Sequence, residues 1–115
     1  MTAPRLTALL AQRVMRWTVH PGRYLMENRR WTPAWRFQPT KKLEDAFRLL
    51  GAADPDNYSI NCRRGGAVTV RVRISGIAGE ASDSSKARAI AHAVARAVGL
   101  DPDGRDEPKT GVERR

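Results

Sequence analysis

The fold is decided by residues 58–74, which read YSINCRRGGAVTVRVRI in this chain of 115 residues. Apolar side chains occupy every second position from Tyr58 to Cys62 and again from Val68 to Ile74. A period of two indicates strands that bury one face, and the glycine pair at 65–66 permits the positive φ angles of a tight turn. The pattern therefore predicts an antiparallel β-hairpin.

A third strand and a helix are predicted after the hairpin. Residues 77–81 follow a glycine turn and predict a short strand, and Ser84 or Ser85 is placed to cap a helix that ends at Gly99. The apolar residues between the cap and this glycine recur at helical spacing. The inward face of the helix is predicted to comprise Ala87, Ile90, Ala91, Val94, Ala97 and Val98.

Two further helices are predicted in front of the hairpin. Thr2 and Pro4 are suited to the start of the first helix, because a threonine caps well and a proline fits the first turn. Its apolar stripe comprises Leu6, Leu9, Leu10, Val14 and Trp17. The second helix is predicted between a Thr40 cap and a stop at Gly51. Its apolar face comprises Leu43, Ala46, Phe47 and Leu50.

The segment between these helices, residues 18–39, combines aromatic residues with proline and glycine and predicts a loop with one short edge strand. Trp31, Trp35 and Phe37 lie at odd positions, so we expect them to share one face of an extended segment.

The order of elements places the chain in the α/β class, of the α+β type. A small antiparallel sheet with a central β-hairpin is expected to pack against helices in the order α-(β)-α-β-β-β-α. Residues 1–100 are long enough for one modest core and predict a single domain. Residues 101–115, DPDGRDEPKTGVERR, lack a periodic apolar face and predict a flexible charged tail.

The net charge is the strongest functional signal in the composition. The chain carries 21 Lys and Arg against 12 Asp and Glu, which gives a formal charge of +9 and a pI near 11.0. Residues 101–115 hold four bases and five acids, 4 − 5 = −1, so the preceding residues carry 9 + 1 = +10. Such a surface attracts nucleic acid, acidic proteins and anionic lipids alike, and net charge does not distinguish them.

A row of arginines is the first candidate contact surface. Arg63, Arg71 and Arg73 alternate with the apolar residues of the hairpin, and Arg64 in the turn extends the row. If helices cover only the valine face, guanidinium groups lie about 7 Å apart along one strand, close to the spacing of successive phosphates. The competing interpretation is an ordinary solvated face.

Two other basic groups are candidates for the same role. Trp31 and Trp35 stand among arginines and are candidates to stack on unpaired bases, although both indoles would also serve as core residues. Lys86 and Arg88 lie at the start of the last helix, where the helix dipole favours an anion. A plain solvated helix face explains them equally well.

Catalysis, metal binding and cofactor binding find little support. Cys62 is the single cysteine and is predicted to point inward, whereas His20 and His92 fall in different elements. We therefore expect no catalytic residue, no metal site and no cofactor; an enzyme using His92 or Cys62 is a third hypothesis.

No apolar stretch reaches the roughly 20 residues of a membrane span and no signal peptide is evident. These observations favour the cytoplasm of a bacterial host cell and no membrane partner.

Three motifs resemble the phage ABA-sandwich family, a group of short phage and prophage proteins. They are VMRW at 14–17, FQPTKKLEDAFRLL at 37–50 and ARAIAHAVA at 87–95. The second is similar to an aromatic-x-Pro-Ser/Thr-x-x-Ile-x-x-Ala pattern of that family. The resemblance spans about residues 6–100 and implies α-β-α order with no settled activity.

A second resemblance covers only residues 41–98, whose α-β-β-β-α order and SSKARAIAHAVA motif at 84–95 are similar to a double-stranded-RNA-binding domain. In such domains, basic residues at the start of the last helix contact phosphates across a groove. Here only Lys86 and Arg88 stand where a denser lysine cluster is usual, and the first helix and tryptophans have no counterpart.

The residues and the resemblances together predict a non-catalytic, basic protein of phage or prophage type that binds nucleic acid through an arginine-rich sheet face and a helix N-terminus. The predicted contacts are Arg63, Arg64, Arg71, Arg73, Lys86 and Arg88, with Trp31 and Trp35 as stacking groups. The alternative is an adaptor or inhibitor that docks on an acidic host or phage protein, such as a component of a bacterial defence system. The choice between RNA and DNA and the oligomeric state stay open.

Overall fold

The computed structural model describes residues 2–102, and the predicted α+β class and order of elements are confirmed. The predicted tail at 101–115 lies, from residue 103 onward, outside the described residues. The elements are α1 (Ala3–Arg13), β1 (Thr18–His20), β2 (Arg23–Leu25), β3 (Trp31–Pro33), a 3-10 helix (Ala34–Arg36), α2 (Leu43–Ala53), β4 (Asn57–Cys62), β5 (Val68–Ile74), β6 (Ile77–Asp83) and α3 (Lys86–Ala97).

The larger sheet contains the predicted hairpin. β4, β5 and β6 pair antiparallel in that order, and the turn between β4 and β5 contains Gly65 and Gly66 with φ near +100°. β6 is longer than predicted and continues to Asp83, because every residue of β6 finds a partner on β5. Three valines of β5 are buried on one face of this sheet: Val68, Val70 and Val72.

Helix α3 covers this valine face at close range. Its N-cap is Ser85, as predicted, and most of its buried residues are alanines. Gly79 of β6 lies directly beneath the helix, where a Cβ atom would overlap the Ala93 carbonyl oxygen and come within 2.5 Å of the Ala97 nitrogen. Alanines on the helix and a glycine on the strand therefore allow helix and sheet backbones to touch.

Cys62 pairs with Val68 and so lies on the valine face, as predicted, but it is exposed there. β4 pairs with β5 along one side only and is an edge strand of the sheet. Tyr58 on the same strand is also exposed, although both residues follow the apolar alternation. The reason is that α3 contacts β5 and β6 and does not extend over this edge.

Residues 18–39 form a second sheet, and the predicted loop with one edge strand is wrong. β1, β2 and β3 pair antiparallel in that order, and each has only three residues. Gly22, with φ of +75°, and Arg29, with φ of +63°, lie in the two turns. Strands this short contain too few residues to establish an alternation, so the sequence pattern reads as a loop.

An aromatic cluster joins the small sheet to the helices. Phe37 is fully buried, and its ring lies 5.0 Å from that of Trp17 and 6.5 Å from that of Tyr24. The predicted common face of Trp31, Trp35 and Phe37 is wrong, because the two tryptophans are 45% and 63% exposed. The 3-10 helix interrupts the extended chain between Trp31 and Phe37 and so breaks the expected alternation.

Both the start and the end of helix α2 differ from the prediction. It begins at Leu43, after the Lys41 and Lys42 amides have both donated to the Gln38 carbonyl, and its cap residue Lys42 makes no side-chain bond. Thr40 is therefore not the N-cap. The helix passes through Gly51 and ends at Ala53. The next residue, Asp54, is its C-cap and adopts the left-handed conformation with φ of +50°.

Candidate nucleic-acid interface

The outer face of the larger sheet is open to solvent. Since cross-strand partners share a face, the register places Arg71 beside Ser59 and Glu80, and Arg73 beside Asn57 and Ala78. The face consists of Asn57, Ser59, Asn61, Thr69, Arg71, Arg73, Ala78, Glu80 and Ser82. Apart from Thr69, which is half-buried, these residues are exposed, and part of the face forms a shallow depression of about 380 Å³. The two arginines lie in this depression.

The guanidinium of Arg71 has a partner within the fold. Its Nε atom lies 3.1 Å from Oε2 of Glu80, with 70% and 51% of the two side chains exposed. An ion pair this exposed contributes at most about 1 kcal/mol, so a phosphate can replace the carboxylate at little expense. Among the described residues, no hydrogen bond or ion pair engages the side chains of Arg63, Arg64 or Arg73, all of them exposed.

The start of α3 already holds an anionic group. The Asp83 carboxylate accepts a hydrogen bond of 2.9 Å from the Ser85 amide, and its second oxygen lies 3.8 Å from Nε of Arg88. Ser85 in turn accepts from the Arg88 amide, and Lys86 is half-buried. The anion expected at this helix end is therefore supplied by the protein itself. An aspartate two residues before a capping serine is the sequence signal for this arrangement.

The small sheet presents aromatic and cationic side chains together. The guanidinium carbon of Arg23 lies 4.0 Å from the centre of the Trp31 ring, and the His20 ring meets Trp31 edge-on at 4.9 Å. Arg36 lies 5.4 Å from the Trp35 ring. Sequence reasoning missed His20 and Arg23, because only the strand pairing brings them next to Trp31.

Positive charge is concentrated around the small sheet. Residues 16–42 contain seven Lys and Arg and one acid, Glu27, which gives 7 − 1 = +6. Residues 57–83, the larger sheet, contain four arginines and two acids, 4 − 2 = +2. Most of the chain's net charge of +9 therefore surrounds the smaller sheet and not the predicted arginine face.

A cavity of about 480 Å³ lies between the start of α1, the small sheet and the segment from the 3-10 helix to Lys41. Its apolar walls include Ala8, Val19, Tyr24, Ala34, Trp35 and Phe37. Thr7, His20, Gln38, Thr40 and Lys41 also line it. Burial raises the pKa of the Tyr24 phenol above its ordinary value of 10.0, because a charged phenolate is disfavoured away from water.

This pKa shift predicts a loss of stability in alkali. The folded protein holds the Tyr24 proton more tightly than the unfolded chain does. The contribution of the neutral phenol to the free energy of unfolding is therefore intact below pH 10.0 and is lost as the pH rises through the raised pKa. Urea unfolding between about pH 9 and about pH 11 is expected to show a steeper decline for the wild type than for Tyr24→Phe. Parallel declines would contradict this.

Among residues 2–102, no three His, Cys, Asp or Glu side chains lie close enough together to hold a metal ion. No helix in the same range has the length and apolar character to cross a membrane.

Comparison with known proteins shows a likeness in structure and none in sequence families. No family model matches the sequence, and no curated protein matches it. Among solved structures, a phage protein from Bacillus cereus superposes with a TM-score of 0.70 over 88% of this chain and 91% of its own, at 13% sequence identity. The chain therefore has the fold of a phage protein, and at this level of identity the likeness extends to the fold alone.

Proposed function

We propose that this protein binds nucleic acid without catalysing a reaction on it, and that it acts in the bacterial cytoplasm as a protein of phage or prophage type. The observation that supports this most is the open outer face of the larger sheet, where Arg71 and Arg73 lie side by side. Arg63 and Arg64 continue the positive charge at the hairpin turn. The shared fold with a phage protein supports the origin.

Binding at this face is electrostatic. Arginine donates in a fixed fork that matches two phosphate oxygens, and each contact releases counterions from the nucleic acid. A phosphate at Arg71 takes the place of Glu80, and one at Arg73 displaces no acid of this face. The serine and asparagine neighbours of the two arginines add neutral hydrogen-bond donors to the phosphate backbone.

The start of α3 makes a smaller contribution in this proposal. Arg88 has to leave Asp83 before it reaches a phosphate, and the Ser85 cap already satisfies one of the helix amides. Lys86 is the freer of the two cations, although it is half-buried. The order α2-β4-β5-β6-α3 matches that of a double-stranded-RNA-binding domain, but the carboxylate at this helix end argues against the same phosphate contact.

Titration of labelled RNA and DNA at two salt concentrations tests the proposal. We expect binding at about 50 mM salt that weakens steeply by about 200 mM, with a slope of about 0.7–0.9 per phosphate contact in a logarithmic plot. Replacing both Arg71 and Arg73 by alanine is expected to weaken binding about tenfold at the lower salt concentration. The slope of the logarithmic plot is expected to fall by about 1–2, which corresponds to the loss of one or two phosphate contacts.

The matched control removes two positive charges elsewhere, with Arg5→Ala and Lys42→Ala, which are exposed on other elements. This control is expected to retain most of the affinity. Absence of binding at about 50 mM salt, or an affinity indifferent to salt, contradicts the proposal. Equal losses in the control and in the Arg71/Arg73 variant would show that net charge and not this face is responsible.

An adaptor or inhibitor that docks on an acidic host or phage protein, such as a component of a bacterial defence system, is the second candidate. The basic face favours it, because the same arginines would also engage a carboxylate-rich protein surface. The fold shared with a phage protein is compatible with either function. A pull-down from host lysate with and without nuclease separates the two functions. A partner protein that is retained after nuclease treatment supports the adaptor, and loss of all partners supports nucleic acid.

The absence of catalysis is itself part of the proposal. Cys62 and His92 are the nucleophile and base candidates of this chain, and they lie on β4 and α3 respectively. Replacing both is expected to leave every phenotype intact, and a lost activity would establish an enzyme instead.

A further inference from the structure

Three residues with buried hydroxyl groups line the cavity beside the small sheet. Tyr24, Thr7 and Thr40 line it and are 4%, 6% and 9% exposed. Among residues 2–102, the structure shows no hydrogen bond to any of these side chains. Buried hydroxyls in folded proteins are nearly always bonded, because an unsatisfied one has given up its hydrogen bonds to water without replacing them. Three around one cavity indicate a site for a ligand with a polar edge.

The remaining walls favour a flat ligand. Phe37, Trp35 and the Tyr24 ring contribute aromatic surface, and the volume of about 480 Å³ lies within the usual range for small-molecule sites. The side-chain amide nitrogen of Gln38, Nε2, donates to the backbone carbonyl of Trp35 at 2.8 Å. This bond fixes the side-chain amide and leaves the Gln38 side-chain oxygen as an acceptor. Hydroxyls and one carbonyl beside aromatic rings match the mixed edge of a heteroaromatic ring.

The surroundings of the cavity favour a ligand that carries negative charge. His20 and Lys41 line it, and it lies within the segment of net charge +6. A purely apolar ligand would leave the hydroxyls unpaired, and a simple anion would leave the aromatic walls unused. A nucleotide satisfies both, because its base has flat apolar faces and a polar edge and its phosphate is anionic.

We propose that this cavity binds a single unpaired nucleobase, so that single-stranded nucleic acid is the preferred partner. This deepens the proposed function and rests on it. The neighbouring base stacks on Trp31, whose ring is already in contact with Arg23 and with His20, a residue that also lines the cavity. A base inside a duplex reaches the cavity only after unpairing, which disfavours double strands.

The test compares a labelled strand of about 12 nucleotides, single and as its duplex, by fluorescence anisotropy at about 50 mM salt. The single strand is expected to bind at least about tenfold more tightly, since stacking adds to the phosphate contacts. Tyr24→Phe and Thr7→Val are each expected to weaken the single strand about threefold to tenfold and to leave the duplex unchanged.

Thermal unfolding of the same variants separates binding from structure. Both substitutions remove an unsatisfied hydroxyl and keep the volume, so Tm is expected to stay the same or rise. Weaker binding together with a lower Tm would indicate a structural role and overturn the assignment. Two matched pairs serve as further controls. Lys41→Ala is expected to weaken binding of the single strand and the adjacent Lys42→Ala is not. Trp35→Ala is likewise expected to weaken it, whereas Phe47→Ala, at an exposed aromatic residue of α2, is not.

The outcomes distinguish this inference from the proposed function. Equal affinity for strand and duplex, lost in the Arg71/Arg73 variant, overturns the cavity assignment and leaves the proposed function standing. No binding to any polynucleotide overturns both. Binding of adenosine or cytidine monophosphate alone, measured by calorimetry and lost in Tyr24→Phe, would reassign the cavity to free nucleotides and overturn the preference for strands.

Discussion

Gly79→Ala is expected to lower the free energy of unfolding by about 3 kcal/mol or more. Its added methyl group would overlap the Ala93 carbonyl oxygen and lie 2.5 Å from the Ala97 nitrogen, so the backbone of α3 has to move away from β6. Neither obstacle is a flexible side chain that rotates out of reach. Because the buried alanines of α3 pack on this sheet, a displaced helix loosens much of the core.

Thermal denaturation followed by circular dichroism measures this effect, and a fall in Tm of about 12 °C or more is expected for a domain of this size. Gly51→Ala is the matched control. Nothing lies within 4 Å of a Cβ atom at position 51, which is inside α2, so alanine is expected to stabilise the protein by about 0.5–1 kcal/mol. A Gly79→Ala variant as stable as the wild type would show that α3 approaches β6 less closely.

Phe37→Ala is expected to cost about 3–5 kcal/mol. The ring is fully buried and lies between Trp17 at 5.0 Å and Tyr24 at 6.5 Å. Its removal leaves a cavity at the place where the small sheet meets the helices. The small sheet has strands of three residues and little packing of its own, so it is expected to lose its order first.

Hydrogen exchange of the amides of β1, β2 and β3, together with urea unfolding, measures both effects. Exchange in the small sheet is expected to accelerate more than exchange in β5. Phe47→Ala serves as the control, because Phe47 is a phenylalanine of α2 with 41% of its surface exposed, and a loss below about 1 kcal/mol is expected. Uniform acceleration in both sheets would show that Phe37 supports the whole domain equally.

The two sheets differ in how closely their proposed binding surfaces are tied to the core. In the larger sheet, the valine face builds the core and the arginine face stays in solvent, so substitutions on the outer face are expected to change binding with little effect on folding. The small sheet depends on the aromatic cluster for its position, and its outer side carries Trp31, Arg23 and His20. Stability and the proposed binding are therefore expected to be coupled more closely at the small sheet than at the larger one.

Local patterns predicted the elements that are long enough to show a period. The alternation from Val68 to Ile74 and the helical spacing between the Ser85 cap and Gly99 were sufficient to identify β5 and α3. The pattern also placed Arg71 and Arg73 on the face opposite the valines. Their exposure did not follow from it, because it depends on which side of the sheet the helices cover.

Contacts between distant residues were not predictable in the same way. The pairing of Arg71 with Glu80 and of Arg88 with Asp83 depends on which strands and turns become neighbours. The three-residue strands of the small sheet gain stability from pairing with one another and from the buried aromatic cluster, so no local propensity marks them.

The sequence by itself determined the hairpin, the three helices, the side of β5 that is buried and the strongly basic charge, because each follows from spacing or composition along the chain. The tertiary structure alone decided that Tyr24, Thr7 and Thr40 meet around one cavity, and that His20, Arg23 and Trp31 meet on one surface. The physical reason is that these groups come from separate elements, and only packing and strand pairing bring their side chains within contact distance.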